Sequence, residues 1–204
     1  MTQKTGPQQA GPVSKGPEDQ AQLRADAKAA MAAMARGERA GLARLIALYG
    51  TGIRRYAAQM LSVRSEAEVV AQEVFLRVWT RAHSYDPDKG AVSSWLYRIT
   101  VNLCIDHNRR CGFRRFVGLD AAPEFEDEMP GVEAQLDGRQ RLALAHAAIK
   151  ALPARQRQAI LLKVAGALST VEIAEALGTS AGATEQLLIR ARAALRAHMD
   201  LEDG

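Results

Sequence analysis

Apolar and polar residues do not alternate in strand fashion anywhere along this chain. Where a pattern exists, the apolar residues return every three or four positions. Such a chain can bury its apolar surface only by packing helix on helix, so the expected fold class is all-α. Composition agrees: alanine is very common, aromatics make up 5% of the residues, and 48% are apolar. That balance favours helix over strand and provides for a core.

Leu23, Ala27, Ala30, Met31 and Met34 share one side of a helix that begins near Glu18, with Gly37 as its stop. Helices are expected over residues 38–48 and 52–61. Ser65 and Glu68 have the spacing of a capping box, opening a helix through Val70, Val74, Phe75, Val78 and Trp79. The run from Tyr85 to Gly90, with its Asp-Pro step, reads as a loop. A further helix covers residues 93–110. In the C-terminal part, helices are expected over 135–151, from Pro153 to near Gly166, over 170–177, and to about Met199. Ser169 and Glu172 form a second capping box.

Charge divides the chain. Arg109, Arg110, Arg114 and Arg115 close one helix, and then residues 120–137 hold seven acidic side chains and no basic one. With Pro123, Pro130 and Gly131 this stretch reads as a flexible acidic linker. The expected organisation is a disordered tail (1–18), a helical domain (19–116), the linker (117–134), and a second helical domain (135–200) with a helix-turn-helix. The Gly-, Pro- and Gln-rich tail is neither a signal peptide nor a membrane span, so no membrane insertion is expected. Cys104 and Cys111 lack the second pair that a zinc site would want. They read as reduced thiols of a cytoplasmic protein. His83, His107, His146 and His198 show no ligand spacing, so no metal or cofactor is expected. No phosphate loop or nucleophile elbow is present, so the chain does not read as an enzyme and no catalytic residue is assigned.

Two segments carry function. A short helix, the turn at Gly178 and a longer helix form a helix-turn-helix, with Ala174 small at the crossing and Ile173, Leu177 and Leu188 holding the pair. Its second helix would offer Ser180, Ala183, Thr184, Glu185 and Gln186 to base edges, with Arg190, Arg192 and Arg196 toward phosphates. The segment from Trp95 to Arg110 combines aromatics, amides and a basic end. Stacking and charge of this kind suit an unpaired strand. The loop before it could form a pocket for a flipped base. The competing reading is an ordinary helical hairpin, with Trp95 and Tyr97 in a core.

Taken together, AEVVAQEVFLRVW (67–79), SSWLYRITVNLCIDHNRR (93–110) and the stretch from Ala151 to Arg196 resemble the second and fourth regions of extracytoplasmic-function (group IV) sigma factors of the sigma-70 family. The resemblance implies a subunit that binds core RNA polymerase, recognises and opens promoters, and initiates transcription in response to stress. It implies that Gln72, Glu73, Phe75, Arg77, Val78 and Trp79 meet the β′ clamp helices. Tyr85, Lys89, Trp95, Arg98, Asn102, Asp106, Arg109 and Arg110 would meet the minus-ten element. The helix-turn-helix would read the minus-thirty-five element and touch the β flap. The resemblance also implies an anti-sigma factor as partner. Two departures stand out. Val69 replaces a usual aspartate, and Glu185 and Leu187 replace usual basic residues, so minus-thirty-five specificity is not carried over from the family. The alternative is a dimeric helix-turn-helix regulator of duplex DNA, which would have no use for the set on 95–110.

Overall fold

The computed structural model describes residues 17–116 and 136–200. Among them there is no strand. Four helices precede the acidic linker: α1 (Pro17–Ala35), α2 (Arg39–Met60), α3 (Ala67–Thr80) and α4 (Val92–Phe116). Four follow: α5 (Leu136–Ala151), α6 (Ala154–Val164), α7 (Thr170–Leu177) and α8 (Ala181–Asp200). The predicted tail and linker lie outside the described residues, apart from Pro17 and Glu18.

The apolar stripes face inward as their spacing requires. Ala27, Ala30, Met31 and Met34 of α1 are buried, and Gly37 ends that helix with φ 80°. Leu45, Ile53 and Tyr56 of α2, Val74 and Val78 of α3, and Leu96 and Leu103 of α4 are wholly enclosed. Each such side chain contributes roughly 1.5–3 kcal/mol on burial. Tyr56 and Tyr97 meet edge to face, with centroids 6.3 Å apart.

Two expectations are corrected. Residues 39–60 form one helix rather than two, because Gly52 serves close packing and neither it nor Gly50 breaks the chain. A Cβ on Gly52 would overlap the Tyr97 hydroxyl and lie 2.7 Å from the Ala165 carbonyl oxygen. The first capping box does not form. Ser65 lies in a 3-10 turn (Arg64–Glu66) before α3, and the α3 N-terminus has no side-chain cap. Glu68 reaches Arg54 instead (3.7 Å), and Glu66 turns to His107. The second box is present in full.

The two sets of helices share one continuous core, in which Leu162, Leu168 and Ile173 join the residues of α2 and α4. The tight spot is Gly52 of α2 against Ala165, with Tyr97 wedged between Gly52 and Gly166. A polar knot closes the same junction. The buried Glu172 carboxylate accepts from Ser93 Oγ at 2.7 Å, from Ser169 at 2.6 Å (Oγ) and 2.8 Å (N), and from Arg24 at 3.2 Å. Burial pushes its pKa up. The hydrogen bonds from Ser169 and Ser93 and the Arg24 contact outweigh this and hold it below the ordinary value.

Candidate nucleic-acid interface

The loop before α4 is built by its own side chains. Asp86 accepts from the Asp88 N–H (3.0 Å) and pairs with Lys89 (3.0 Å), and the Lys89 contact leads in lowering its pKa. Tyr85 donates its hydroxyl to the Gly90 carbonyl at 3.0 Å. This places the Tyr85 ring beside Trp95, with centroids 5.6 Å apart at 57°. Gly90 has φ 151°, a conformation that side chains other than glycine's rarely adopt. Together Tyr85, Lys89, Ser94, Trp95 and Arg98 line a cleft. Two half-buried rings beside two cations form a surface suited to an unstacked base and its phosphates.

Arg98, Asn102, Asp106 and Arg109 continue this face along α4 at helical spacing. Arg98, Asn102, Arg109 and Arg110 are exposed and Asp106 is half-buried. Arg109 lies 3.6 Å from the Asp106 carboxylate, and Arg110 Nε donates to the Asp106 carbonyl (3.3 Å). Asp106 thus orients its basic neighbours. The sequence reading missed Phe113 and Phe116, which are 64% and 88% exposed on the last turns of α4 beside Arg114. Two bare aromatics on a basic helix end supply further stacking surface. The expected helix end near Arg110 concealed them.

The cleft is not open to solvent on every side. The second set of helices closes it: Arg98 donates through Nε (3.1 Å) and Nη2 to the Glu175 backbone carbonyl. The Glu175 side chain lines the cleft, and its Oε2 is buried without a hydrogen-bond partner. A Cβ on Gly90 would come within 3.0 Å of that oxygen.

The helix-turn-helix has the anticipated geometry. The Ser169–Glu172 box opens α7, Gly178 closes it with φ 62°, and Arg155 donates to the Leu177 carbonyl (3.2 Å). Ser180 accepts from the Ala183 N–H (3.1 Å) at the start of α8. Ile173, Ala174, Leu177 and Leu188 are buried at the crossing. Ser180, Ala183, Glu185, Gln186, Arg190, Arg192 and Arg196 are exposed, and Leu187 is half-buried. Thr184 departs from the expected reading face. It is fully buried and its Oγ1 has no partner, so it packs α8 onto its neighbours.

On α3 the expected polymerase-facing set divides between two sides. Phe75 and Val78 are buried and Trp79 packs against the core, so these side chains face inward. Gln72 is exposed, and Glu73 pairs with Arg77 at 2.7 Å. The outward apolar groups are Val69 (60% exposed) and Leu76 (62%), one heptad apart beside Gln72 and Glu73. Exposed apolar groups rimmed by charge are the composition of a protein interface.

Both cysteines are free and buried. Burial pushes the Cys104 thiol up to about 12. Cys111 lies instead beside Glu66 and His107, the one grouping among the described residues whose donors could hold a metal ion. No described helix is long and apolar enough to cross a membrane.

Comparison with known proteins follows the same division. The Sigma-70 region 2 pattern matches residues 45–113, and the Sigma-70, region 4 pattern matches residues 142–195. The ECF RNA polymerase sigma factor RpoE of Cereibacter sphaeroides is 31% identical over 168 residues, covering 79% of this chain and 88% of that protein. A solved structure of CnrH in complex with the cytosolic domain of CnrY superposes with a TM-score of 0.66 at 26% identity, covering 87% of this chain and 98% of CnrH. The sigma factor RpoE of Bartonella quintana, solved with the anti-sigma factor NepR, shares the fold: TM-score 0.64, 24% identity, 76% of this chain and 94% of the other.

Proposed function

The chain belongs to the extracytoplasmic-function branch of the sigma-70 family, and from that premise we propose how its surfaces divide the work of a promoter-recognising sigma factor. Residues 19–116 act as the region 2 module and residues 135–200 as the region 4 module, with 117–134 joining them. The cleft at Tyr85 and Trp95 receives an unstacked base of the minus-ten strand. Lys89, Arg98, Arg109 and Arg110 hold its backbone, and Asn102 supplies an amide to the strand. Phe113 and Phe116 extend the stacking surface. Opening needs no catalytic group, because a strand that binds better unpaired than paired is drawn out by the difference in affinity. The few kcal/mol that unstacking requires are supplied by the cleft and by polymerase contacts.

The outer face of α3, with Val69, Gln72, Glu73 and Leu76, docks on the β′ clamp helices. The exposed residues of α8 approach the minus-thirty-five duplex, with Gln186 toward a base edge and Arg190 and Arg192 toward phosphates. The region 4 module also touches the β flap. A glutamate at 185 is tolerated where it accepts from a cytosine amino group. The protein works in the cytoplasm and answers a stress signal. Before that signal an anti-sigma factor covers it, a proposal supported by the Bartonella relative, whose solved structure includes one.

The adjacency of Tyr85, Trp95, Lys89 and Arg98 in one cleft carries this reading. The experiment is reconstituted transcription from a genomic library with purified protein and core polymerase. Promoter-specific transcripts are expected. A protein that starts none and instead dimerises on duplex DNA is a conventional regulator. With a promoter in hand, Trp95→Ala and Asn102→Ala should lower open-complex formation at least tenfold while leaving polymerase binding within about twofold. Equal loss of both would mean misfolding.

A further inference from the structure

The promoter-directing role does not use the cluster formed by Glu66, His107 and Cys111. His107 and Cys111 stand four residues apart on one face of α4, and Glu66 reaches them from the 3-10 turn before α3. One carboxylate oxygen, one imidazole nitrogen and the thiol sulfur all lie within 4.8 Å of one another. The Glu66 carboxylate is in direct contact with His107 Nε2. Cys111 is buried, and the side chains of Glu66 and His107 keep 35% and 20% of their exposure. The donors are therefore sheltered but reachable.

The backbone that carries them is fixed independently. Asn108, next to His107, accepts from the Ser62 N–H at 2.9 Å and donates to the Met60 carbonyl at 2.8 Å. These bonds tie α4 to the 60–66 segment, so the three donors are held in place without a ligand. Cys104 makes a useful contrast. Its surroundings are apolar and keep it a protonated thiol, whereas the Cys111 sulfur faces a carboxylate and an imidazole.

We propose that Glu66, His107 and Cys111 bind one divalent transition metal ion of borderline softness, zinc or cobalt in class, with a water in the fourth position. Sulfur, nitrogen and oxygen donors together select such ions over magnesium or calcium. Three protein ligands and an open position are the pattern of an accessible site. Bound metal cross-links the last turns of α4, which carry Arg109, Arg110 and Phe113, to the turn that leads into α3. It thereby stiffens the basic helix end relative to the polymerase-facing helix.

The test uses the full chain, stripped with a chelator under reducing conditions and titrated with cobalt(II) alone. One equivalent should produce a thiolate-to-cobalt charge-transfer band and the visible bands of a tetrahedral ion. Zinc should displace the cobalt and raise Tm. Cys111→Ala should remove the charge-transfer band, and Glu66→Gln or His107→Gln should weaken affinity by about a hundredfold or more, beyond the 10- to 100-fold typical of outer-sphere partners. Circular dichroism reports folding, and if Cys111→Ala does not fold, the other two variants decide. A wild-type chain without the charge-transfer band overturns the proposal. So does a band that persists in Cys111→Ala, or affinity unchanged in both Glu66→Gln and His107→Gln.

Discussion

Thr184 shows how a single residue can be misassigned by spacing alone. It lies at a base-reading position of the second helix of a helix-turn-helix, yet its hydroxyl is buried and unpartnered. An unsatisfied buried hydroxyl costs on the order of 1–3 kcal/mol, and valine has nearly the same shape. Thr184→Val should therefore raise stability by about 1 kcal/mol in thermal unfolding and leave minus-thirty-five binding unchanged. Gln186→Ala on the exposed side should instead cost roughly 1–3 kcal/mol of base discrimination, read by competition between duplexes. The pairing of Tyr85 with Trp95 was foreshadowed by the Asp-Pro loop beside an aromatic helix. The burial of Thr184 was not, because the inward arc of α8 is set by which neighbours it meets, and periodicity does not specify them.

Among the elements, α3 makes the clearest case. Its inner side is Val70, Val74, Phe75 and Val78, and its outer side is Val69, Gln72, Glu73 and Leu76. Leu76→Lys should weaken polymerase binding at least tenfold in a pull-down with core enzyme, with Tm unchanged within a degree or two. Phe75→Ala should cost about 3–5 kcal/mol of stability, as a buried aromatic does, and lose binding only through unfolding. Most helices were legible because their stripes and stops are local. The Ser169–Glu172 box and Gly178 formed as written. The break expected between residues 48 and 52 failed for a nonlocal reason: Gly52 is small because Tyr97 and Ala165 come close, and a turn signal is indistinguishable from a close-packing signal in one dimension. The Ser65 box failed because Ser65 is taken into a 3-10 turn and its intended partner Glu68 lies against Arg54 of α2.

At the scale of the whole molecule, the two helical sets pack over the very cleft proposed to hold the minus-ten strand. Promoter opening therefore requires them to part, and two residues should control how readily they do. Gly52→Ala inserts a methyl where the junction has no room, so it should enlarge the radius of gyration in solution scattering. It should also increase affinity for a minus-ten single strand severalfold. Glu172 gives a pH handle. Its pKa is lowered in the folded arrangement, so its stabilising contribution is present above the ordinary carboxylate range and is lost as pH falls through that range to the folded value. Strand affinity of the free protein should rise as pH falls through the ordinary carboxylate range toward that lower value, and become insensitive to this change in Glu172→Gln, as followed by fluorescence anisotropy. None of this arrangement was legible in the sequence. Arg24, Ser93 and Glu172 lie far apart along the chain, and only the assembled core makes them neighbours.

Glu175 carries a consequence for the free subunit in the cell. Its carboxylate lines a cleft that also holds two rings and two cations, where the strand proposed above would bring a backbone phosphate. A chromosome offers on the order of 10⁶–10⁹ nonspecific sites to any exposed cationic surface. A protein whose stacking cleft is shut by its own acid is a poor competitor for that sink. On the proposed function, the closed free subunit then meets random DNA only through the exposed arginines of α4 and α8, and adds the stacking contacts of the cleft once the two helical sets part on core enzyme.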